Sequence, residues 1–201
     1  MPVTSPLHED RLAAVHAAVT ACRASRVLDL GCGDGDFFLR LAGAPGIKRL
    51  VGLDVRKVAL ERLRERLARR DVHGCKVDLR LASLTDPAPD LAGFDCAVLV
   101  ETIEHVPPDR LSQVERAVFH FLRPRRVVLT TPNAEFNPLL GVPPHRFRHP
   151  DHRFEWSRAA FRNWGTRVAG ASGYAVRFED IAGCHPMLGG ASQMAVFDHG
   201  G

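Results

Sequence analysis

Residues 26–35 read Arg26-Val27-Leu28-Asp29-Leu30-Gly31-Cys32-Gly33-Asp34-Gly35, an apolar run that breaks into three glycines at alternate positions. A chain turns this sharply after a strand, and lets a ligand touch its backbone, where residues accept positive φ and carry no Cβ. The spacing selects among ligands. A dinucleotide-binding turn needs glycine at position 36, where the chain has Asp36, and does not normally carry an acid such as Asp29 just ahead of it. The carboxylates of Asp29 and Asp34 favour a cationic ligand over a pyrophosphate.

Around this turn, strand-like runs alternate with helical patterns, which is the α/β signature. A helix over residues 9–22 precedes the first strand, Arg26–Leu30, and a short helix over 37–42 leads to the second, Arg49–Asp54. Residues 58–70 form an amphipathic helix, with Leu60, Leu63 and Leu67 inward and five arginines on the solvated face. Strands over 77–81 and 94–100, a helix over 109–122 and a strand over 126–131 follow. Residues 132–156 hold five prolines, three histidines and three arginines without periodicity, and read as a long functional loop. Ser157 caps a helix running to Ser172, with Phe161, Trp164 and Val168 on one face. Runs at 174–179 and 193–197 read as an antiparallel pair at the sheet edge. The expected architecture is a doubly wound, mostly parallel, seven-stranded sheet in a single domain spanning residues 1–201.

Composition agrees with that size and class. The chain has 201 residues, of which 45% are hydrophobic and 25% charged, values that exclude collagen-like and disordered chains. No apolar run approaches the roughly 20 residues of a membrane-spanning helix. The first ten residues carry two prolines and two acids where a secretion signal has a basic start and an apolar stretch, so a cytoplasmic location is expected. Cys22, Cys32, Cys75, Cys96 and Cys184 are scattered and never spaced C-x-x-C, which points to reduced thiols. Only Lys48, Lys57 and Lys76 among the 27 basic residues are lysines. Biased codon usage accounts for such a preference, and phosphate recognition by guanidinium forks is its functional counterpart.

Asp54 ends the second strand where, in doubly wound folds, a carboxylate accepts the ribose hydroxyls of an adenosine. A strand, D-x-G-x-G-x-G and this aspartate together resemble the Rossmann-like class I S-adenosylmethionine-dependent methyltransferases. That resemblance implies cofactor binding by Asp29, Gly31, Cys32, Gly33, Gly35 and Asp54, with Ser83 and Leu84 flanking the adenine.

After the fourth strand comes Glu101-Thr102-Ile103-Glu104-His105. On a helical segment, positions 101, 104 and 105 share a face at a carboxyl-end crevice. The long loop offers further donors in Arg148-His149-Pro150-Asp151-His152-Arg153-Phe154-Glu155-Trp156. Oxygen and nitrogen donors without thiolate suit manganese, magnesium or iron better than structural zinc.

These segments, with Val128-Leu129-Thr130-Thr131-Pro132-Asn133, Glu135, Asn137 and the tail Gln193-Met194-Ala195-Val196-Phe197, resemble the RNA 3′-terminal ribose 2′-O-methyltransferases. That family holds the plant and animal small-RNA methyltransferases of the Hua enhancer type and their bacterial RNA-repair relatives. The resemblance implies divalent-metal ligation by Glu101, Glu104, His105 and His152, with His149 as a lesser neighbour. It implies methyl transfer from S-adenosylmethionine to the 2′-hydroxyl at an RNA 3′ end, with those four residues catalytic and His105 or His152 helping to remove the proton. It also implies a polynucleotide kinase-phosphatase repair partner. The bacterial repair members carry an additional N-terminal half that these 201 residues do not contain, which makes the chain an excised domain or a stand-alone member.

Arg146, Arg148, Arg153 and Arg158 lie where RNA phosphates would run, and Phe147 is placed to stack on a base. Phe154 and Trp156 are expected in the core instead. Two other readings use the same residues: a metal-independent small-molecule methyltransferase, insensitive to chelators, and a non-catalytic component of an RNA-repair assembly, which binds without turnover.

Overall fold

Strands that are apolar on both faces belong in the middle of a covered sheet. In the computed structural model, which describes residues 5–70, 72 and 74–200, they lie there. β1 (Arg26–Leu30), β4 (Cys96–Val100) and β5 (Arg126–Pro132) are buried along nearly their whole length. The sheet has seven strands in the order β3-β2-β1-β4-β5-β7-β6, where β2 is Arg49–Asp54, β3 Lys76–Leu81, β6 Tyr174–Ile181 and β7 Ser192–His199. β1 to β5 are parallel, β7 runs antiparallel to β5, and β6 is the outer antiparallel strand, as the sequence led one to expect.

Helices cover both faces. α1 (Pro6–Ala21), α2 (Asp36–Ala42) and α3 (Lys57–Leu67) enclose one apolar cluster that includes Phe38, Leu41 and Leu63. α2 has seven residues, far short of the roughly 12–15 at which an isolated helix becomes even marginal, and five of them are buried. Each such Phe or Leu is worth about 1.5–3 kcal/mol when fully buried, so packing rather than helix propensity holds α2 in place.

The other face is covered by α4 (Leu111–Glu115) and α5 (Arg158–Ser172), around Phe119, Phe161, Trp164 and Phe197. Ser157 caps α5 by accepting from the amide of Ala160 at 3.2 Å, and Gly173 ends it at φ 76°. Trp156 packs here against Phe161 and Trp164, and Phe154 against Trp156, both half-buried on this core as expected.

Two segments depart from the sequence reading. The helix expected over 109–122 is a 3-10 turn (Pro108–Arg110), then α4, then a π-helical stretch (Arg116–Leu122) that ends at Arg123 with φ 44°. Apolar spacing does not separate these helical windings. The loop over 132–156 contains a 3-10 helix, Ala134–Leu140, capped by Asn133 through the amide of Glu135. Strand order reverses between β1 and β4, which opens a crevice at their carboxyl ends. Among the described residues, no helix is long and apolar enough to cross a membrane.

Candidate active site

A cleft of about 630 Å³ occupies that crevice, bordered by Gly31 after β1, Asp54 at the end of β2, Ser83 and Leu84 after β3, and Glu101 after β4. Gly31, Gly33 and Gly35 have φ of 88°, 54° and 92°, values that a side chain would strain. Their roles differ. A Cβ on Gly31 would lie 2.4 Å from Thr102 Cγ2, so this glycine lets β1 and the segment after β4 close on each other at the cleft floor. The amide of Gly33 donates to Asp54 Oδ2 at 2.8 Å. A Cβ on Gly35 would lie 2.2 Å from Leu63 Cδ1, so Gly35 serves helix packing and does not border the cleft. Cys32 likewise turns into the core, where burial pushes its thiol pKa up.

Asp29 is 2% exposed, and its Oδ2 has no hydrogen-bond partner. Burial, with a smaller contribution from the charge of Asp54, raises its pKa to about 7. A buried unpaired carboxylate is costly unless a donor or cation meets it, which fits the cationic ligand that the turn suggests. Asp54 is held by the amides of Gly33 and Arg56, both at 2.8 Å. Asp34 pairs instead with Arg62 at 3.3 Å and is drawn away from the cleft.

The segment after β4 forms a 3-10 turn, Ile103–His105, and Glu101 adopts φ 49°. A glutamate in the left-handed region costs on the order of 1 kcal/mol, a cost tolerated where function fixes the backbone. The turn divides the side chains. Glu101 and His105 border the cleft, whereas Glu104 is fully buried behind them and accepts from Thr131 Oγ1 at 3.0 Å. Burial and the neighbouring charge of Glu101 push the Glu104 pKa well above the usual carboxylate range. Arg11 of α1 reaches Glu101 Oε2 at 3.3 Å.

Ligand atoms of His105, His149 and His152 lie within 4.8 Å of one another. His149, secondary in the sequence reading, is therefore a full member of the histidine group. The other oxygens of Glu101 and Glu104, both named Oε1, are buried without a hydrogen-bond partner. Neither glutamate belongs to this tight group, so the expected set of Glu101, Glu104, His105 and His152 is not gathered as such: the three imidazoles cluster, Glu101 borders the same cleft, and Glu104 lies buried behind it. Imidazole nitrogens with an unpartnered carboxylate oxygen on the same cleft are donors of the kind that fit a divalent cation. His152 Nδ1 lies 2.6 Å from Glu155 Oε1, which leaves Nε2 as its free nitrogen. Burial lowers the His105 pKa, and His152 lowers it further.

The four arginines assigned to RNA separate into two pairs. Arg148 is bound internally: it donates to Asn137 Oδ1 and the Ala191 carbonyl, both at 2.5 Å, and to the Asn133 carbonyl. Arg158 is held by Glu135 at 2.9 Å and Asp180 at 3.7 Å. Both assignments are corrected accordingly, because these guanidinium groups brace the loop. Arg146 and Arg153 are exposed, and Arg153 borders the cleft. The sequence reading missed Arg11, Thr131 and Glu155. Glu155 sits inside the D-H-x-F-E-W segment but was not given a role.

A doubly wound sheet with a glycine turn, a strand-terminal aspartate and a cleft at the switch point defines a class I methyltransferase fold. Residues 27–125 match a family described as a methyltransferase domain. The methyltransferase domain of bacterial CtHen1-C superposes with a TM-score of 0.86 at 36% identity, covering 97% of this chain and 100% of that one. A small RNA 2′-O-methyltransferase of Xenopus tropicalis is 36% identical over 203 residues, which is 96% of this chain and 54% of that protein. The chain belongs to the small RNA 2′-O-methyltransferase (Hen1) family. It spans about half the length of the curated relatives it matches. A chain in the structure of a Pnkp1/Rnl/Hen1 RNA repair complex shares the fold, with a TM-score of 0.72 at 19% identity, covering 98% of this chain and 42% of that one.

Proposed function

We propose that this chain transfers a methyl group from S-adenosylmethionine to the 2′-hydroxyl of the 3′-terminal ribose of RNA, as a single cytoplasmic methyltransferase domain spanning residues 1–201. The observation that carries the reading is the meeting of two groups at one cleft. Gly31 and Asp54, with Asp29 buried in the strand just before the turn, form one side, and His105, His149 and His152 with Glu101 form the other.

Asp29 meets the ammonium of the methyl donor, Asp54 its ribose hydroxyls, and Ser83 and Leu84 its adenine. Across the cleft, Glu101, Glu104, His105 and His152, joined by His149, would hold a divalent cation such as manganese or magnesium. When bound there, the cation supplies Lewis-acid polarisation of the vicinal 2′,3′-hydroxyls. The protein's own contribution is to fix the terminal ribose in line with the sulfonium methyl and to exclude water. The 2′-oxygen bonds to the methyl carbon as the carbon–sulfur bond breaks, the sulfonium becomes a thioether, and the hydroxyl proton passes to whichever of His105 and His152 keeps a nitrogen off the cation. Arg146 and Arg153 meet the phosphates of the strand. A polynucleotide kinase-phosphatase that prepares RNA ends is the corresponding repair partner.

The test is transfer from labelled S-adenosylmethionine to a short RNA, with and without manganese, comparing a free 2′,3′-diol end with 2′-deoxy and 3′-phosphate ends. Metal-dependent labelling of the diol alone is expected. Turnover that persists without added metal in the presence of a chelator overturns the metal role, and labelling of the 2′-deoxy end overturns the attacked atom.

A further inference from the structure

Beyond the catalytic cleft lies a second groove of about 600 Å³, bordered by Thr85, Asp86 and Pro87 on one side and Gln113, Arg116 and Phe121 on the other. Thr85 borders both cavities. On the helical side, Arg110 borders the catalytic cleft, and Gln113, Arg116 and Phe121 follow it along the second groove. The two cavities therefore form one path along one side of the α4 segment.

The groove has a definite chemistry. Phe121, in the π-helical stretch, is 46% exposed, although its neighbours Phe119 and Leu122 are buried. Arg110 and Arg116 are exposed, and no carboxylate among the described residues lies within ion-pair distance of either. Glu115, adjacent to Arg116 in sequence, is held elsewhere by Trp164 at 2.9 Å and Arg167 at 2.7 Å. Unpaired guanidinium groups beside an open aromatic face match a single-stranded nucleic acid, which offers phosphates to the first and bases to the second. Asp86 borders the groove from the opposite wall, and a carboxylate there is an acceptor for a base amino group.

Resting on the RNA reading above, we propose that this groove carries the nucleotides upstream of the methylated 3′ end, with their phosphates on Arg110 and Arg116 and a base stacked on Phe121. The strand then passes from the ribose at the histidine cluster, past Arg153 and Arg110, into the second groove. Substrate length is read here, away from the reacting atoms.

The experiment compares Arg116→Glu and Phe121→Ala with the unaltered chain on two RNAs ending in the same diol, a dinucleotide and a strand of roughly ten nucleotides. Methyl transfer gives kcat and KM, fluorescence anisotropy gives Kd against salt, and thermal melting checks the fold. Expected is a rise of about tenfold in KM and Kd for the longer strand in each variant, with kcat and all dinucleotide values unchanged. The salt slope of Arg116→Glu should fall by about one or more. Equal losses on both RNAs, or none on either, overturn the groove. An unaltered chain that binds S-adenosylmethionine but neither binds nor methylates either RNA defeats the RNA reading itself, and the groove with it.

Discussion

The Nδ1 atom of His152 lies 2.6 Å from Oε1 of Glu155, three residues along the chain, and both side chains are nearly buried. Burial would raise the Glu155 pKa, but hydrogen bonds from His152, Asn137 and the Arg148 amide outweigh it and hold the carboxyl below its usual range. An ionised Glu155 thus fixes the ring orientation and tautomer of His152 and turns Nε2 outward. Outer partners of this kind typically support activity by about 10- to 100-fold. Glu155→Gln should lower kcat for methyl transfer by at least about tenfold. S-adenosylmethionine affinity, measured by calorimetry, should stay unchanged, since Glu155 bonds to Asn137, Arg148 and His152 and does not border the cleft.

In the proposed cofactor role, Asp29 should make S-adenosylmethionine affinity depend on pH. Its pKa near 7 means that the carboxyl is neutral below that pH and attracts a cation only above it. One pH unit below the pKa therefore costs about tenfold in binding of a positively charged ligand. Between pH 7.5 and 6 the calorimetric Kd for S-adenosylmethionine should rise by roughly that factor. Asp29→Asn should bind weakly at both pH values, with the difference between them removed.

Arg148 and Arg153 lie five positions apart and should behave oppositely. Arg148 is held by three acceptors, and burial lowers its pKa. Its removal takes a charged donor from the carbonyls of Asn133 and Ala191, which keep only the amides of Phe136 and Asn133, and hydrogen bonds to a charged group contribute about 1.5–3 kcal/mol each. Arg148→Ala should shift the urea midpoint strongly. Arg153→Ala should leave that midpoint unchanged while weakening RNA binding and flattening its salt dependence.

The strand, glycine turn and closing aspartate were legible because their information is local. Apolar runs, positive-φ positions and a strand-end acid all fall within residues 26–54. The Glu101–Arg11 pair was not legible, since ninety positions separate its members and only the packing of α1 across the sheet brings them together. The histidines were found as residue types at a suggestive spacing, but the equal standing of His149 comes from the fold of the loop. Arg148 and Arg158 looked like phosphate ligands because composition marks a charge without revealing its partner. The π-helical winding over Arg116–Leu122 leaves no trace in apolar periodicity.

Asp95 provides a stability test remote from the cleft. It lies just before β4, and its Oδ2 accepts from the Ser25 amide at 2.8 Å, the Ser25 hydroxyl at 3.0 Å and the Arg26 amide at 2.9 Å. Burial opposes its ionisation, but these bonds prevail and the folded pKa lies below the unfolded value of 3.8. The stabilisation is therefore fully present above the unfolded pKa and is lost as pH falls through the folded one. Hydrogen bonds to a charged acceptor contribute about 1.5–3 kcal/mol, and Asp95→Asn keeps an acceptor oxygen but loses the charge. The variant should be destabilised by about 1 kcal/mol at pH 7 in urea titrations. As pH falls below 4 the gap to the unaltered chain should narrow, and a gap that stays constant would assign the effect to shape instead of charge.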